Sequence, residues 1–471
     1  MNVTIQFLGA AQTVTGSKYL LDFDNFQVLV DCGLFQGPKK LRQRNWDNFT
    51  IAPAKLDALI LTHAHIDHVG YLPRLVQQGF SKPIYCTAAT ADLVRIMLLD
   101  SAKIQEEEAK YANRKGYSKH KPARPLYTTE DAENVFPLLK EFEYDEDIPL
   151  RSGVNIKFHD AGHILGSAWV EMNVRREKQR KTIVFSGDIG RYDQPVLRSP
   201  TAMLYTDVLL IESTYGDREN DARDPAGEFA AAVNAGLKRG GCVLIPSFAV
   251  GRTQTVMYYL KTQMESGEIP KVPVYLDSPM AINVTQLYKR RFSYHKLRDQ
   301  DLQYSESLFD YEFFNYYRSV EASKSINDLQ KNAIIISSSG MCTGGRIVHH
   351  LAHRLGREQD TVLFVGYQAK GTRGRSILEK EETIRMFGKD FSMRCQVAQV
   401  SGLSAHADRS ELRDWADTLV RPPQQTFVVH GELDSATAMQ EMLEGELGWK
   451  SVRVPDYQDK FTLFEDDAAA E

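Results

Sequence analysis

The feature that most constrains this chain is a run of six residues, His63-Ala64-His65-Ile66-Asp67-His68, placed directly after the apolar stretch 58–61 and Thr62. Side chains two apart on an extended segment point the same way, so His63 and His65 share a side. Asp67 and His68 follow where the chain turns. Imidazole nitrogen and carboxylate oxygen are the donors that Zn²⁺ takes. A lone histidine here reads as a packing or surface residue, whereas three histidines and an aspartate at this spacing read as a metal cluster. The cluster cannot close two metal sites alone, so further ligands are expected at later strand ends. His163 in Asp160-Ala161-Gly162-His163, Asp188 in Ser186-Gly187-Asp188 and His430 in Val429-His430-Gly431 fit that expectation. Each stands near a glycine, which lets backbone approach a crowded site.

The surrounding pattern is mixed α/β. Residues 3–8, 19–23, 27–31 and 58–61 read as strands, 88–115 as a helix with Leu93, Ile96, Met97 and Ile104 on one face, and 154–158, 167–174 and 182–185 as strands again. The charged stretch 175–181 reads as a solvated hairpin tip. From residue 207 short apolar runs (208–211, 242–246, 272–276, 333–337, 361–365) alternate with helical stretches (226–239, 252–265, 281–292, 346–355). That alternation predicts a parallel sheet. Strand character resumes at 393–400 and 426–429, with a helix expected over 405–419. The expected organisation is a first domain over 1–207, an inserted domain over 208–392, and a return to the first domain over 393–471.

The six-residue cluster, His163, Asp188, and Asp31 in Val30-Asp31-Cys32-Gly33 resemble the metallo-β-lactamase superfamily. The resemblance becomes specific further along. Glu212-Ser213-Thr214-Tyr215-Gly216-Asp217-Arg218, Pro246-Ser247-Phe248-Ala249-Val250-Gly251-Arg252, Leu276-Asp277-Ser278-Pro279-Met280 and Ser338-Ser339-Gly340-Met341 look like the β-CASP nucleases. So do Gly366-Tyr367-Gln368-Ala369-Lys370-Gly371-Thr372, Ser404-Ala405-His406 and Val429-His430-Gly431. The motifs run in order over nearly the whole chain and resemble bacterial relatives of the endonuclease that cleaves mRNA 3′ ends. The implied fold is α/β, a metallo-β-lactamase αββα sandwich with an inserted parallel-sheet β-CASP domain.

By this resemblance His63, His65 and His163 hold one Zn²⁺, and Asp67, His68 and His430 hold a second. Asp188 bridges them and Asp31 orients a ligand histidine. The family's acidic motif falls on Glu212 and its serine-x-histidine motif on His406. Taken alone, Glu212 reads as a strand-end cap and His406 as a helix-start histidine. RNA-acting members carry histidine at the position of His430, where DNA-acting relatives typically carry an aliphatic residue. One departure is Asn220, where close bacterial relatives often have histidine.

The implied activity is hydrolysis of RNA phosphodiester bonds with two Zn²⁺ per chain, leaving 5′-phosphate and 3′-hydroxyl ends. Asp67 accepts a proton from the attacking water, His406 is the general acid, and Glu212 orients it. Endonucleolytic cutting is expected, with a 5′-exonuclease mode left open. The alternatives are a hydrolase of a small-molecule ester or thioester, or a non-catalytic RNA-binding scaffold, which lost zinc ligands would mark. RNA contacts are expected from the amides of Ser339 and Gly340 at a helix start, from Arg346, Lys370 and Arg373, and from Ser404. His349, His350, His353, Arg354 and Arg357 lie in the same helical region as Arg346. The aromatic stretch 309–317 reads as core or domain contact more than as a base-stacking surface.

Composition narrows the rest. With 57 basic and 62 acidic residues the net charge is -5, which gives no vote for nucleic acid and leaves only a local basic groove. Five scattered cysteines without Cys-x-x-Cys spacing read as reduced, buried thiols of a cytoplasmic protein. No apolar run approaches the ~18 residues that span a bilayer, and the start lacks the pattern of a cleaved signal. RNA is the expected partner, and no membrane is expected.

Overall fold

The computed structural model describes residues 2–116, 120–176, 179–219, 224–297, 308–369 and 371–465. The chain forms two compact units. One comprises Met1–Tyr192, Ser199–Glu219 and His406–Glu471, the other Asp193–Arg198 and Asn220–Ala405.

The first unit contains two seven-stranded sheets. One runs Lys460–Phe464, Val3–Phe7, Tyr19–Asp22, Gln27–Val30, Ala58–Ile60, Ile84–Thr87, Leu139–Phe142. The other runs Val452–Arg453, Gln425–Val429, Val208–Glu212, Gln179–Phe185, Ala168–Arg176, Val154–Asp160, Ile148–Arg151. Alternate residues along a strand share a face. Val3, Ile5, Phe7, Leu21, Val28 and Val30 of the first sheet therefore meet Ile156, Phe158, Val170, Met172, Phe185, Leu210 and Phe427 of the second in one core. Burying each such side chain contributes about 1.5–3 kcal/mol relative to leaving it exposed. The second sheet's other face, with Trp169, Val184, Leu209, Ile211 and Val428, packs on Leu412 and Trp415 of helix Arg409–Ala416 and on Met439, Met442 and Leu443 of helix Leu433–Gly445. Helix Ala88–Lys115 lies against strands Ile84–Thr87 and Leu139–Phe142. It starts where the Thr87 side chain accepts the Thr90 amide and stops at Gly116, at φ 67°.

The second unit is built on a six-stranded, all-parallel sheet in the order Phe314–Tyr316, Val274–Leu276, Ala333–Ser337, Cys242–Pro246, Thr361–Phe364, Gln396–Gln399. Helices Pro225–Lys238, Arg252–Ser266, Pro279–Arg290 and Arg346–Arg354 alternate with its strands. An antiparallel hairpin, Thr383–Met386 with Lys389–Ser392, stands apart from that sheet. In the stretch 309–317, Phe309 and Phe314 are buried. Among the described residues no helix is long and apolar enough to cross a membrane.

Three sequence expectations are corrected. Strand Val208–Glu212, all five residues buried, pairs in parallel with both Gln179–Phe185 and Gln425–Val429, so it belongs to the first unit. Strand Gln396–Gln399 pairs with Thr361–Phe364 and belongs to the second. The boundaries expected after 207 and 392 therefore shift, because a short apolar run suits a buried strand of either sheet and only its partners decide. The helix expected over 405–419 begins at Arg409, where Asp408 and Glu411 form a capping box. His406 precedes it and is bridged to Gly190. Asn220, residues 177–178 of the charged hairpin tip, and the tail beyond Glu465 lie outside the described residues.

Candidate metal centre

Strand Ala58–Ile60 lies between Gln27–Val30 and Ile84–Thr87 with all three residues buried. The chain leaving its carboxyl end carries His63 and His65 and then closes one helical turn, Ile66–Val69, in which the His68 and Val69 amides both donate to His65 O. Backbone bonds hold that turn in place: Ser17 N donates to Asp67 O, and Cys32 N to His68 O. The approach is so close that a Cβ on Gly33 would lie 1.5 Å from Asp67 O, which only glycine avoids. His163, Asp188 and His430 arrive from the ends of strands Val154–Asp160, Gln179–Phe185 and Gln425–Val429. His430 sits at φ 51° and Asp31 at φ 58°, a region that side-chain-bearing residues adopt rarely and that the surrounding contacts must enforce.

The side chains converge in two groups, His63, His65, His163 and Asp188, and Asp67, His68 and His430, each with its ligand atoms within 4.8 Å of one another. In the first group His65 Nδ1 lies 3.1 Å from His63 Nε2 and 3.2 Å from His163 Nε2. Asp188 Oδ2 lies 3.4 Å from His63 Nε2 and 3.5 Å from His163 Nε2. In the second, His68 Nε2 and His430 Nε2 are 3.0 Å apart, and Asp67 Oδ2 is 3.5 Å from His430 Nε2. The other oxygen of Asp188, Oδ1, faces this group, 3.3 Å from His68 Nε2 and 3.6 Å from His430 Nδ1. One carboxylate thus turns an oxygen to each group.

This donor set fits metal ions. Ring nitrogens and carboxylate oxygens face one another with too few protons to satisfy them all, and Asp188 Oδ1 is buried without a hydrogen-bond partner. Each buried polar atom left unpaired costs about 1–3 kcal/mol, which a cation in each group would relieve. Burial lowers the pKa values of His63, His65 (to about 3) and His163, so these rings stay neutral with lone pairs available. Burial opposes ionisation of Asp67 and Asp188, but the neighbouring histidines outweigh it and keep both as carboxylates. Asp31 fixes His68. Its Oδ1 accepts the Thr62 amide at 2.8 Å, and its Oδ2 accepts Thr62 Oγ1 at 2.8 Å and faces His68 Nδ1 at 2.8 Å. That contact leaves His68 Nε2 directed at the second group.

Glu212 and His406 stand beside the first group. Glu212 is fully buried, and its Oε1 accepts the Ile189 amide at 2.6 Å and lies 3.4 Å from His406 Nδ1. His406 Nδ1 is also 4.0 Å from Asp188 Oδ2, and its ring centre is 4.4 Å from that of His163. Burial disfavours charge on His406, but Glu212, with Asp188 and Asp67, outweighs it and raises the ring to about 9. Sequence reasoning missed two hydroxyls. Thr62 Oγ1 lies 3.1 Å from His63 Nδ1, and Thr214 Oγ1 lies 3.1 Å from His430 Nδ1. Their positions next to His63 and within the Glu212 motif were the available signal.

The residues expected to bind RNA fare differently. Arg346 gives Nη1 to Asp277 Oδ1 and Tyr317 O, at 2.6 and 3.1 Å, and Nη2 to Arg318 O at 2.6 Å. Arg373 donates to Arg385 O at 3.2 Å and to Cys342 O. Both part-exposed guanidinium groups are held by partners within the second unit. The Ser339 amide donates to Gly344 O at 3.3 Å, so it is not part of an open cradle, and the helix begins only at Arg346. Gly340 O accepts from Gln368 Nε2 at 3.1 Å, and the Phe248 ring fills the space a Cβ would take. His350, Arg354 and Arg357 are likewise held by Asp277, Asp360 and backbone carbonyls. Ser404 is half-buried, two residues before His406. Lys370 lies outside the described residues.

Comparisons with known proteins agree with this layout. A family model for the metallo-beta-lactamase superfamily domain matches residues 20–203, and one for the Beta-Casp domain matches residues 253–377. A third, for a Zn-dependent metallo-hydrolase RNA specificity domain, matches residues 390–455. A ribonuclease of Thermus thermophilus is 36% identical over 438 residues, covering 92% of this chain and 94% of that one. Transcription termination factor FttA of Methanosarcina mazei is 31% identical over 465 residues, covering 94% and 70%. FttA of Pyrococcus abyssi is 31% identical over 481 residues, covering 98% and 71%. Among solved structures, a protein of unknown function from Enterococcus faecalis shares the fold over 98% of this chain and 100% of its own, with a TM-score of 0.53 at 14% identity.

Proposed function

The chain belongs to the β-CASP family of the metallo-β-lactamase superfamily, and on that premise we propose that it is a zinc-dependent ribonuclease cutting RNA endonucleolytically to 5′-phosphate and 3′-hydroxyl ends. The observation that carries the proposal is Asp188, which offers one oxygen to each donor group while the Glu212–His406 pair stands beside it. A scaffold would have lost ligands, whereas all seven ligand side chains converge here.

Two zinc ions held by these groups would supply a water acidic enough to ionise near neutral pH and would neutralise charge on the scissile phosphate. The protein's own part follows from the geometry. Asp31 and Thr62 hold His68 and His63 in fixed ring orientations, so the donor groups are set before substrate arrives. Asp67 accepts the proton of the attacking water at its carboxylate. Glu212 favours the charged imidazole of His406, which donates a proton to the departing 3′ oxygen. The nucleophile is water, so the RNA 2′-hydroxyl takes no part in bond breaking. We place the enzyme in the cytoplasm, with five free, buried cysteines in support.

The test uses a circular RNA and a linear 5′-phosphorylated RNA with wild type, Asp188→Ala and His406→Ala. Wild type should open the circle and leave 5′-phosphate ends, and both variants should be severely impaired. Equal cleavage by all three proteins would overturn the site, and an intact circle beside a degraded linear RNA would overturn the endonuclease mode.

A further inference from the structure

Phe387 is 58% exposed at the tip of the second unit's hairpin. Met386 pairs with Lys389, so the turn is the two residues Phe387 and Gly388, at φ 50° and 77°. Positive φ at both positions matches a type I′ turn, whose first position favours asparagine or aspartate and is costly for a bulky side chain. An exposed phenylalanine here serves neither the backbone nor solvation. Its ring lies 4.7 Å from that of His349, tilted 34°, and His349 is itself exposed. The support beneath is firm. Ile384 and Met386 are buried in the second unit's core, and Arg373 ties Arg385 O to Cys342 O. Arg385, 72% exposed and 3.3 Å from Asp390, stands on this hairpin with exposed Lys389, and exposed His353 lies one helical turn from His349. Residues 378–389 fall between the stretches matched by the two domain models, 253–377 and 390–455.

We propose that Phe387 and His349 form a platform that stacks an unpaired base of single-stranded RNA, with Arg385, Lys389 and His353 meeting its phosphates. Aromatic rings set among cations hold unpaired strands because every base presents a π face, whereas a duplex hides its bases. The proposal rests on the ribonuclease reading and adds to it a site, on the second unit's hairpin, that contacts the RNA.

The test is fluorescence anisotropy of the zinc-loaded protein with a short, labelled phosphorothioate RNA, as an unstructured single strand and as a duplex. Phe387→Ala should weaken single-strand binding about 5- to 100-fold, and Phe387→Trp should restore it. Phe387→Asn should weaken binding similarly yet melt at the wild-type temperature or above, since it suits the turn. Duplex binding should be unchanged in all variants. Single-strand affinities within about twofold of wild type, or equal losses for strand and duplex, would overturn the platform. So would a lower melting temperature for Phe387→Asn, which would mark a structural role. Failure of wild type to cleave RNA would overturn the ribonuclease reading instead, and binding would still decide the platform.

Discussion

Asp188 and Asp277 are both buried carboxylates just beyond the end of a strand, and both face histidine. Asp277, in the second unit, lies 2.7 Å from His350 Nε2 and accepts from Ser323 Oγ at 2.6 Å and from Arg346 Nη1 at 2.6 Å. Its oxygens are saturated by donors. Asp188, in the first unit, looks out on ring nitrogens that cannot all be donors, and its Oδ1 has no hydrogen-bond partner. The difference separates structure from chemistry. A buried acid whose partners bring enough protons is a tie between elements, whereas one surrounded by lone pairs marks a place for a cation.

That contrast can be broken most directly at the two aspartates. Asp188→Ala should abolish RNA cleavage and lower bound zinc measured by elemental analysis, while Asp277→Ala should keep wild-type zinc per chain. Full zinc and activity in Asp188→Ala would end the distinction. His406→Ala should retain zinc and lose about 10²- to 10⁴-fold in turnover, as expected when a proton donor is removed. The pH profile sharpens this. Despite burial, Glu212 raises His406 to about 9, so the donor form persists up to that pH and activity falls above it. Glu212→Gln removes the raising charge, so the alkaline limb should move to lower pH. Asp31→Ala should act through His68, weakening zinc affinity about 10- to 100-fold in a competitive chelator titration.

The smallest effect on chemistry is expected in the second unit. Asp360→Ala leaves Arg354, 1% exposed, without its carboxylate partner. It should cost about 3–5 kcal/mol in denaturant unfolding, with zinc content and turnover of the folded protein unchanged.

The site was legible because metal ligation draws on few residue types and confines them to strand ends. His63, His65, Asp67 and His68 lie within six residues, so their spacing alone reported their geometry. Arg346 and Arg373 were not legible in this way. A cation in a sequence looks the same whether it faces solvent or a carboxylate 69 residues away, as Arg346 does. Ser339 failed for a related reason, since its amide is consumed by a loop that closes on itself.

Local pattern therefore determined the alternation of strands and helices and the candidate ligands, because these depend on side chains a few positions apart. Tertiary structure alone decided the rest. It assigned strands Val208–Glu212 and Gln396–Gln399 to their sheets, turned Asp188 toward two donor groups, and spent Arg346 and Arg354 on internal acids and carbonyls. The physical reason is that strand pairing and hydrogen-bond satisfaction are properties of partners, and those partners lie tens to hundreds of residues apart in the chain.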